Sequence, residues 1–342
     1  PINKSTDYFN TKLYTGNGST QSITGVGFQP DFTWLKSRSA STDHQLFDAV
    51  RGTGKSLISN NTDVEYSGSN LLTAFGTDGF SLGDHAPLNG NGVTFASWNW
   101  KANGAGSTNY DGSINTTVSV NTTSGFSIVK WTGNSTAGET IGHGLGVTPK
   151  VVIIKRLNGA AQSWICKFPT ATGNTPTDGY LALDTTDAIS ASSGWLPVSN
   201  SLITLANNWS AYNNNGNDFI AYCFADVQGF SKFGSYVATG TADSAFCYTG
   251  FSPAFVMIKR TDGGDSWVTI DNKRDTYNQT SKTLHADLAD AEIDRQSLDF
   301  LSNGFKIRAG NGLINGTGNN HTYMAFASAP LVGTNNIPAN AR

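Results

Sequence analysis

Hydrophobic positions along the chain fall in short runs, broken every ~8–12 residues by Gly, Asn, Ser and Thr. Phe95-Ala96-Ser97-Trp98-Asn99-Trp100 alternates with the period of a β-strand. Phe219-Ile220-Ala221-Tyr222-Cys223-Phe224 and Tyr323-Met324-Ala325-Phe326-Ala327 repeat that pattern further along. A second pattern also occurs three times. Gly27-Phe28-Gln29-Pro30, Gly146-Val147-Thr148-Pro149 and Gly250-Phe251-Ser252-Pro253 each open a β-branched or aromatic run that closes on Lys36, Lys155 or Lys259. Pro fixes φ at a strand entrance, where no ladder donor is needed. The near-continuous apolar run that follows predicts a strand covered on both faces.

Other blocks keep the same order. Lys55 to Glu65 aligns with Lys282 to Glu292, and Leu181 to Asp187 is a shorter version. Asp78-Gly79-Phe80 and Asn303-Gly304-Phe305 are hairpin signals that the middle stretch lacks. Copy starts recur at Tyr14-Thr15-Gly16, Trp131-Thr132-Gly133 and Ala238-Thr239-Gly240. The period of roughly 100 residues predicts an all-β fold of three tandem divergent β-sandwich (jelly-roll-like) modules. Their expected limits are 1–101, 125–228 and 229–342, with 102–124 a linker or an added hairpin. Strand exchange between copies is the alternative. The short second junction couples copies two and three, while the Gly-rich first junction lets copy one pivot. The segment from Leu284 to Ser297 is where a helical turn or two would fit.

Composition agrees with this picture. Gly is abundant at 38, and 19 Phe, 11 Tyr and 8 Trp supply large side chains for the cores. The net charge of −3, without basic runs, argues against nucleic-acid binding. No apolar run approaches the ~20 residues needed to span a membrane. Pro1-Ile2-Asn3-Lys4 shows no apolar core of a signal peptide. Cys166, Cys223 and Cys247 lack metal-ligand spacing and read as small buried side chains.

Candidate chemistry is sparse. Of His44, His85, His143, His285 and His321, none recurs at an equivalent place in two copies. His143 lies in a turn and reads as structural. Arg51-Gly52-Thr53-Gly54-Lys55-Ser56 fails as a phosphate loop, because Ala49 stands where the first Gly is required. Asp48 and Arg51 match Asp271 and Arg274, and read as a local ion pair or a ligand clamp. Asn60, Asp63 and Glu65, with Asp287, Asp290 and Glu292 and the remnant Asp184 and Asp187, could supply oxygen ligands to calcium. Asx side chains capping a turn explain the same residues without an ion. Trp98 and Trp100 share one face of their strand, as core residues or as a sugar-stacking platform. No catalytic residue, cofactor site or metal site is assigned, and no pair of acids suits glycoside hydrolysis.

The stretch from Tyr222 to Tyr236, with Asp299 to Arg308 and the ending Ile337-Pro338-Ala339-Asn340-Ala341-Arg342, resembles a family of tailed-bacteriophage virion structural proteins with repeated β-modules. The resemblance runs from about Tyr8 to Arg342. It implies a non-enzymatic virion protein made in the host cytoplasm, tail-fibre or appendage in type, that contacts host glycan. A capsid decoration or cement protein is the alternative, and a polysaccharide depolymerase a third. Implied partners are other virion proteins and further copies of itself, in a trimer for example, with neither nucleic acid nor membrane insertion. The stretch from Pro1 to Asp7, or copy one, would attach the protein.

Overall fold

The computed structural model describes residues 2–170, 179–191, 196–308 and 312–331, the side chain of Gln296 excepted. The C-terminal motif from Ile337 to Arg342 lies outside the described residues. The chain is built of β-strands in antiparallel sheets, as the alternation predicts. Each sheet draws its strands from one copy, so strands are not exchanged.

The three alternating aromatic strands are Thr94–Trp100, Asp218–Phe224 and Asn320–Pro330. Each lies between the Pro-led strand of its own copy and that copy's first strand. The Pro-led strands are Phe32–Ser37, Val151–Arg156 and Phe251–Arg260; the first strands are Phe9–Thr15, Phe126–Thr132 and Ser231–Val237. The registers agree. Phe32 pairs with Trp100 and Trp34 with Trp98. Val151 pairs with Phe224 and Ile153 with Tyr222. Phe255 pairs with Phe326 and Met257 with Met324. Pro30 and Pro149 precede their strands. Pro253 lies inside one, and the ladder shifts register around it.

The hairpin signals are met. Leu72–Gly76 turns into Gly79–Leu82, and Ile293–Leu301 into Gly304–Ile307. In the middle copy Glu139–Gly142 pairs instead with Leu202–Leu205. Segment 102–124 contributes two strands, Ser107–Asn109 and Thr116–Asn121, to the edge of the middle sheet. The helix expected near Leu284 is absent. Strands Thr280–His285 and Ile293–Leu301 occupy that region, because β-branched residues there pair across the sheet. Single helical turns lie instead at Ala86–Asn89 and Gly312–Asn315.

Alternation along the doubly buried strands divides each copy's side chains between two cores. One face closes a sandwich within the copy. Val152, Ile154, Ala221 and Cys223 meet Ile141, Ile203 and Leu205 across the middle one. Val256, Ile258 and Ala325 meet Phe300, Phe305 and Ile307 in the third. Leu35 and Phe47 meet Ile23, Phe80 and Leu82 in the first. The opposite face of each copy's main sheet, the one that holds the Pro-led and aromatic strands, enters one common core. Phe32, Trp34, Trp98 and Trp100 join Val151, Ile153, Tyr222 and Phe224, and Phe255, Met257, Met324 and Phe326 there. Phe9 stacks on Phe326, Phe32 on Tyr222, and Trp98 packs edge-on against Phe255. The three copies therefore surround a central aromatic core, and copy one does not pivot. Burying a large apolar side chain is worth ~1.5–3 kcal/mol, so the shared core outweighs any flexibility of the Gly-rich junction.

Candidate functional site: an interface of three copies

The polar residues that recur between copies lie where one copy grips the next. Just ahead of the strand after each Pro-led strand stands an aromatic: His44, Trp164 or Trp267. Its backbone N–H donates to an Asx side chain of its own copy: Asn60 at 2.9 Å, Asp184 at 2.8 Å, Asp287 at 2.9 Å. This is the turn-capping reading of those residues. Its ring N–H crosses to a neighbour. Trp164 Nε1 donates to the Ile58 carbonyl at 2.8 Å. Trp267 Nε1 donates to the Ala182 carbonyl at 2.9 Å. His44 Nε2 lies 2.8 Å from the His285 carbonyl. Ile58, Ala182 and His285 hold aligned places in their copies, so the three bonds form a closed ring.

His44 is suited to this place. Its Nδ1 accepts from Trp34 Nε1 at 2.8 Å, which leaves the proton on Nε2 to donate. Burial, reinforced by the nearby Lys36 charge, holds its pKa well below the ordinary histidine value.

A second ring is purely backbone. Glu65 N donates to the Leu157 carbonyl, Glu292 N to that of Arg38 and Ile189 N to that of Thr261, at 2.8–3.0 Å. Two further inter-copy bonds come from the lysines that close the Pro-led strands. Lys36 Nζ donates to the Ala289 carbonyl at 3.1 Å, and Lys259 Nζ to the Thr186 carbonyl at 3.0 Å. Lys155 donates to the Gln162 carbonyl within its own copy and lies over the Trp164 ring. Burial pushes all three down to about 8, opposed by Asp290, Asp184 with Asp63, and Asp287, respectively.

The Asp-x-x-Arg pairs have identical surroundings. Arg51 Nε meets Asp48 at 2.5 Å, and Arg274 Nε meets Asp271 at 2.5 Å, with all four side chains inaccessible to solvent. Each guanidinium also donates to a strand carbonyl, Leu46 or Thr269, and to a carboxylate, Glu65 or Glu292. Each Asp receives a donor from another copy: Tyr222 Oη to Asp48 at 2.8 Å, and Trp98 Nε1 to Asp271 at 3.0 Å. Tyr222 and Trp98 are register equivalents. At the third junction Met324 holds that position, and Phe168 holds the Asp position, packed on Trp267. Loss of donor and acceptor together leaves that contact apolar, so neither position strands a buried polar group.

Trp98 and Trp100 are thus core residues, 1% and 2% exposed. They cannot serve as a sugar-stacking platform, because aromatic rings of the neighbouring copies cover them. Glu65 and Glu292 pair with arginines, Asp63 pairs with Asn61, and no group of three or more metal-ligating side chains converges among the described residues. The Arg51 loop is committed to its ion pairs, and His143 accepts from Leu145 N in its turn. The cysteines are buried free thiols. Among the described residues, no helix is long and apolar enough to cross a membrane.

What the fold and its interface define is a single-chain assembly of three β-sandwich modules related by a pseudo-threefold axis. The chain belongs to a family known as a domain of unknown function (DUF7483), which it matches over residues 4–330. No curated protein and no solved structure matches it.

Proposed function

We propose that this chain is a non-enzymatic structural protein of a tailed-phage virion, appendage in type, built to present a rigid surface to host glycan. The observation that carries the proposal is the pair of closed rings of inter-copy bonds. The residues that recur between copies, and that would be expected to hold a shared chemistry, bind copy to copy in buried places. Residues engaged in this way stiffen a body and leave its outer loops to vary. The resemblance to phage virion repeats supplies the setting. The pseudo-threefold axis favours a second reading, a head decoration protein, because icosahedral shells offer threefold positions.

Quantitative mass spectrometry of purified particles, with a cryo-EM reconstruction, tests the proposal. A handful of copies at the tail is the expected result. Copy numbers on the scale of the capsid lattice would turn the assignment to decoration, and absence from particles would end both readings. New reducing ends on host polysaccharide incubated with pure protein would overturn the non-enzymatic part.

A further inference from the structure

A groove of about 660 Å³ opens on the third module, where its first strand leaves the middle module. Sites that take small molecules span ~300–1,000 Å³ and combine apolar walls with a few polar groups. This groove has that makeup. Tyr248 and Pro330 supply apolar surface, Gly229 and Gly250 supply backbone, and Asp226, Gln228 and Lys232 supply polar groups.

The pseudo-threefold repeat provides an internal control. Strand Phe246–Tyr248 directs Cys247 inward and leaves Phe246 and Tyr248 45% and 59% exposed on its outer face. The sandwich-core residue Cys247 corresponds to Ile23 in the first module and Ile141 in the middle one. The flanking positions there are the exposed Ser22 and Thr24, and Thr140 with Gly142, the latter buried against Asn109. The third module has therefore placed two aromatic rings where the same scaffold elsewhere carries small residues. Covering a cross-strand glycine accounts for Phe246, whose ring lies over Gly304. It does not account for Tyr248, whose hydroxyl has no hydrogen-bond partner among the described residues.

We propose that the Tyr248 groove binds an uncharged saccharide. A pyranose offers one face of C–H groups, which stacks on an exposed ring, and a rim of hydroxyls, which needs planar donors and acceptors beside that ring. The exposed Gln228 amide supplies both. Lys232 Nζ meets Asp226 at 2.6 Å, so the one cation and one anion that line the groove among the described residues neutralise each other. Asp226 also accepts from Phe233 N, which fixes its orientation. A charged sugar would have to break that pair. The site gives the appendage reading its ligand contact and rests on that reading for its biological occupant.

Saturation-transfer difference NMR on the full chain tests it, with maltotriose, cellotriose, triacetylchitotriose and the anionic sialyllactose as probes. At least one neutral trisaccharide is expected to show transfer, and Tyr248→Ala is expected to weaken it by about tenfold or more. Tyr277→Ala, at a 79% exposed ring elsewhere on the module, serves as the control and should leave it unchanged. An unaltered melting curve verifies that the Tyr248 variant is folded. No transfer from any neutral probe, equal effects of the two variants, or preference for sialyllactose would overturn the site. Those outcomes leave the copy number in particles untouched, so failure here is separable from failure of the virion assignment.

Discussion

The phenol of Tyr222, in the middle copy, donates to the buried carboxylate of Asp48, in the first copy, across 2.8 Å. The same carboxylate holds the guanidinium of Arg51, so one aspartate ties a loop to its own strand and a module to its neighbour. The two functions are separable by substitution. Tyr222→Phe removes one hydrogen bond to a charged group and should lower stability by ~1.5–3 kcal/mol. Asp48→Ala deprives a buried cation of its main partner and should cost ~3–5 kcal/mol. Urea unfolding monitored by tryptophan fluorescence ranks them. Equal losses would mean that Arg51 finds compensation elsewhere.

A module cut out of this chain carries an uncovered apolar face. Residues 102–228 alone would expose Phe126, Ile128, Val151, Ile153, Tyr222 and Phe224, a loss on the order of 10 kcal/mol. That fragment is expected to associate and to bind a hydrophobic dye, while the full chain unfolds in a single transition. Size-exclusion chromatography and calorimetry check the pair of outcomes. A monodisperse fragment with its own sharp melt would contradict the shared core.

The buried lysines set a pH dependence of definite sign. Lys36, Lys155 and Lys259 are pushed down to about 8 by burial, from the ordinary 10.5. Between those values the unfolded chain binds more protons than the folded one, so stability rises with pH there. The gain is about 3 kcal/mol per lysine over the full window. It is opposed above pH 10, because the buried phenols of Tyr14, Tyr222 and Tyr236 are raised and favour unfolding once the free phenol ionises. Chemical denaturation at pH 7, 8, 9 and 10 should show the rise, and Lys36→Met should flatten part of it. A stability falling steadily from pH 8 to 10 would refute this account.

Chelation should leave the melting temperature where it is. The carboxylates that spacing grouped as calcium ligands are already engaged: Glu65 and Glu292 by arginines, Asp184 and Asp287 by backbone N–H groups. Calorimetry with EDTA and then with added calcium measures this. A midpoint that falls on chelation and returns with calcium would show a site those bonds do not account for.

Much of this architecture can be read from the residues. The Gly-x-x-Pro strands, the alternating aromatic strands and the Gly-Phe hairpins all form where the pattern puts them. The Asx residues at 60, 184 and 287 cap a turn, and the Asp-x-x-Arg pairs hold a loop. The closure of three copies on one another was not legible, although its signs were present. A doubly apolar strand such as Val151–Arg156 needs two covers, and a sandwich partner supplies one. His44, Trp164 and Trp267 stand at one aligned position, each with a ring N–H, but their acceptors are backbone carbonyls, which leave no trace in side-chain identity. For Trp98 and Trp100 the residues leave core and ligand roles both open, with core favoured, since strand periodicity assigns residues to a face and does not say what lies beyond it. Tyr248 carries a signal of its own: an aromatic where the aligned positions are Thr24 and Gly142.

Covalent linkage of the three sandwiches changes what a single substitution can do. In a trimer of identical subunits, any altered residue appears on three faces at once, and a change that helps one contact must be tolerated at two others. Here the central core and its rings keep the near-symmetry that closure requires, while each outer face belongs to its own stretch of sequence. Phe246 and Tyr248 can stand on one face alone because Ser22 and Thr140, on the others, are encoded separately. The fold thus combines the rigidity of a trimer with three independently adjustable surfaces.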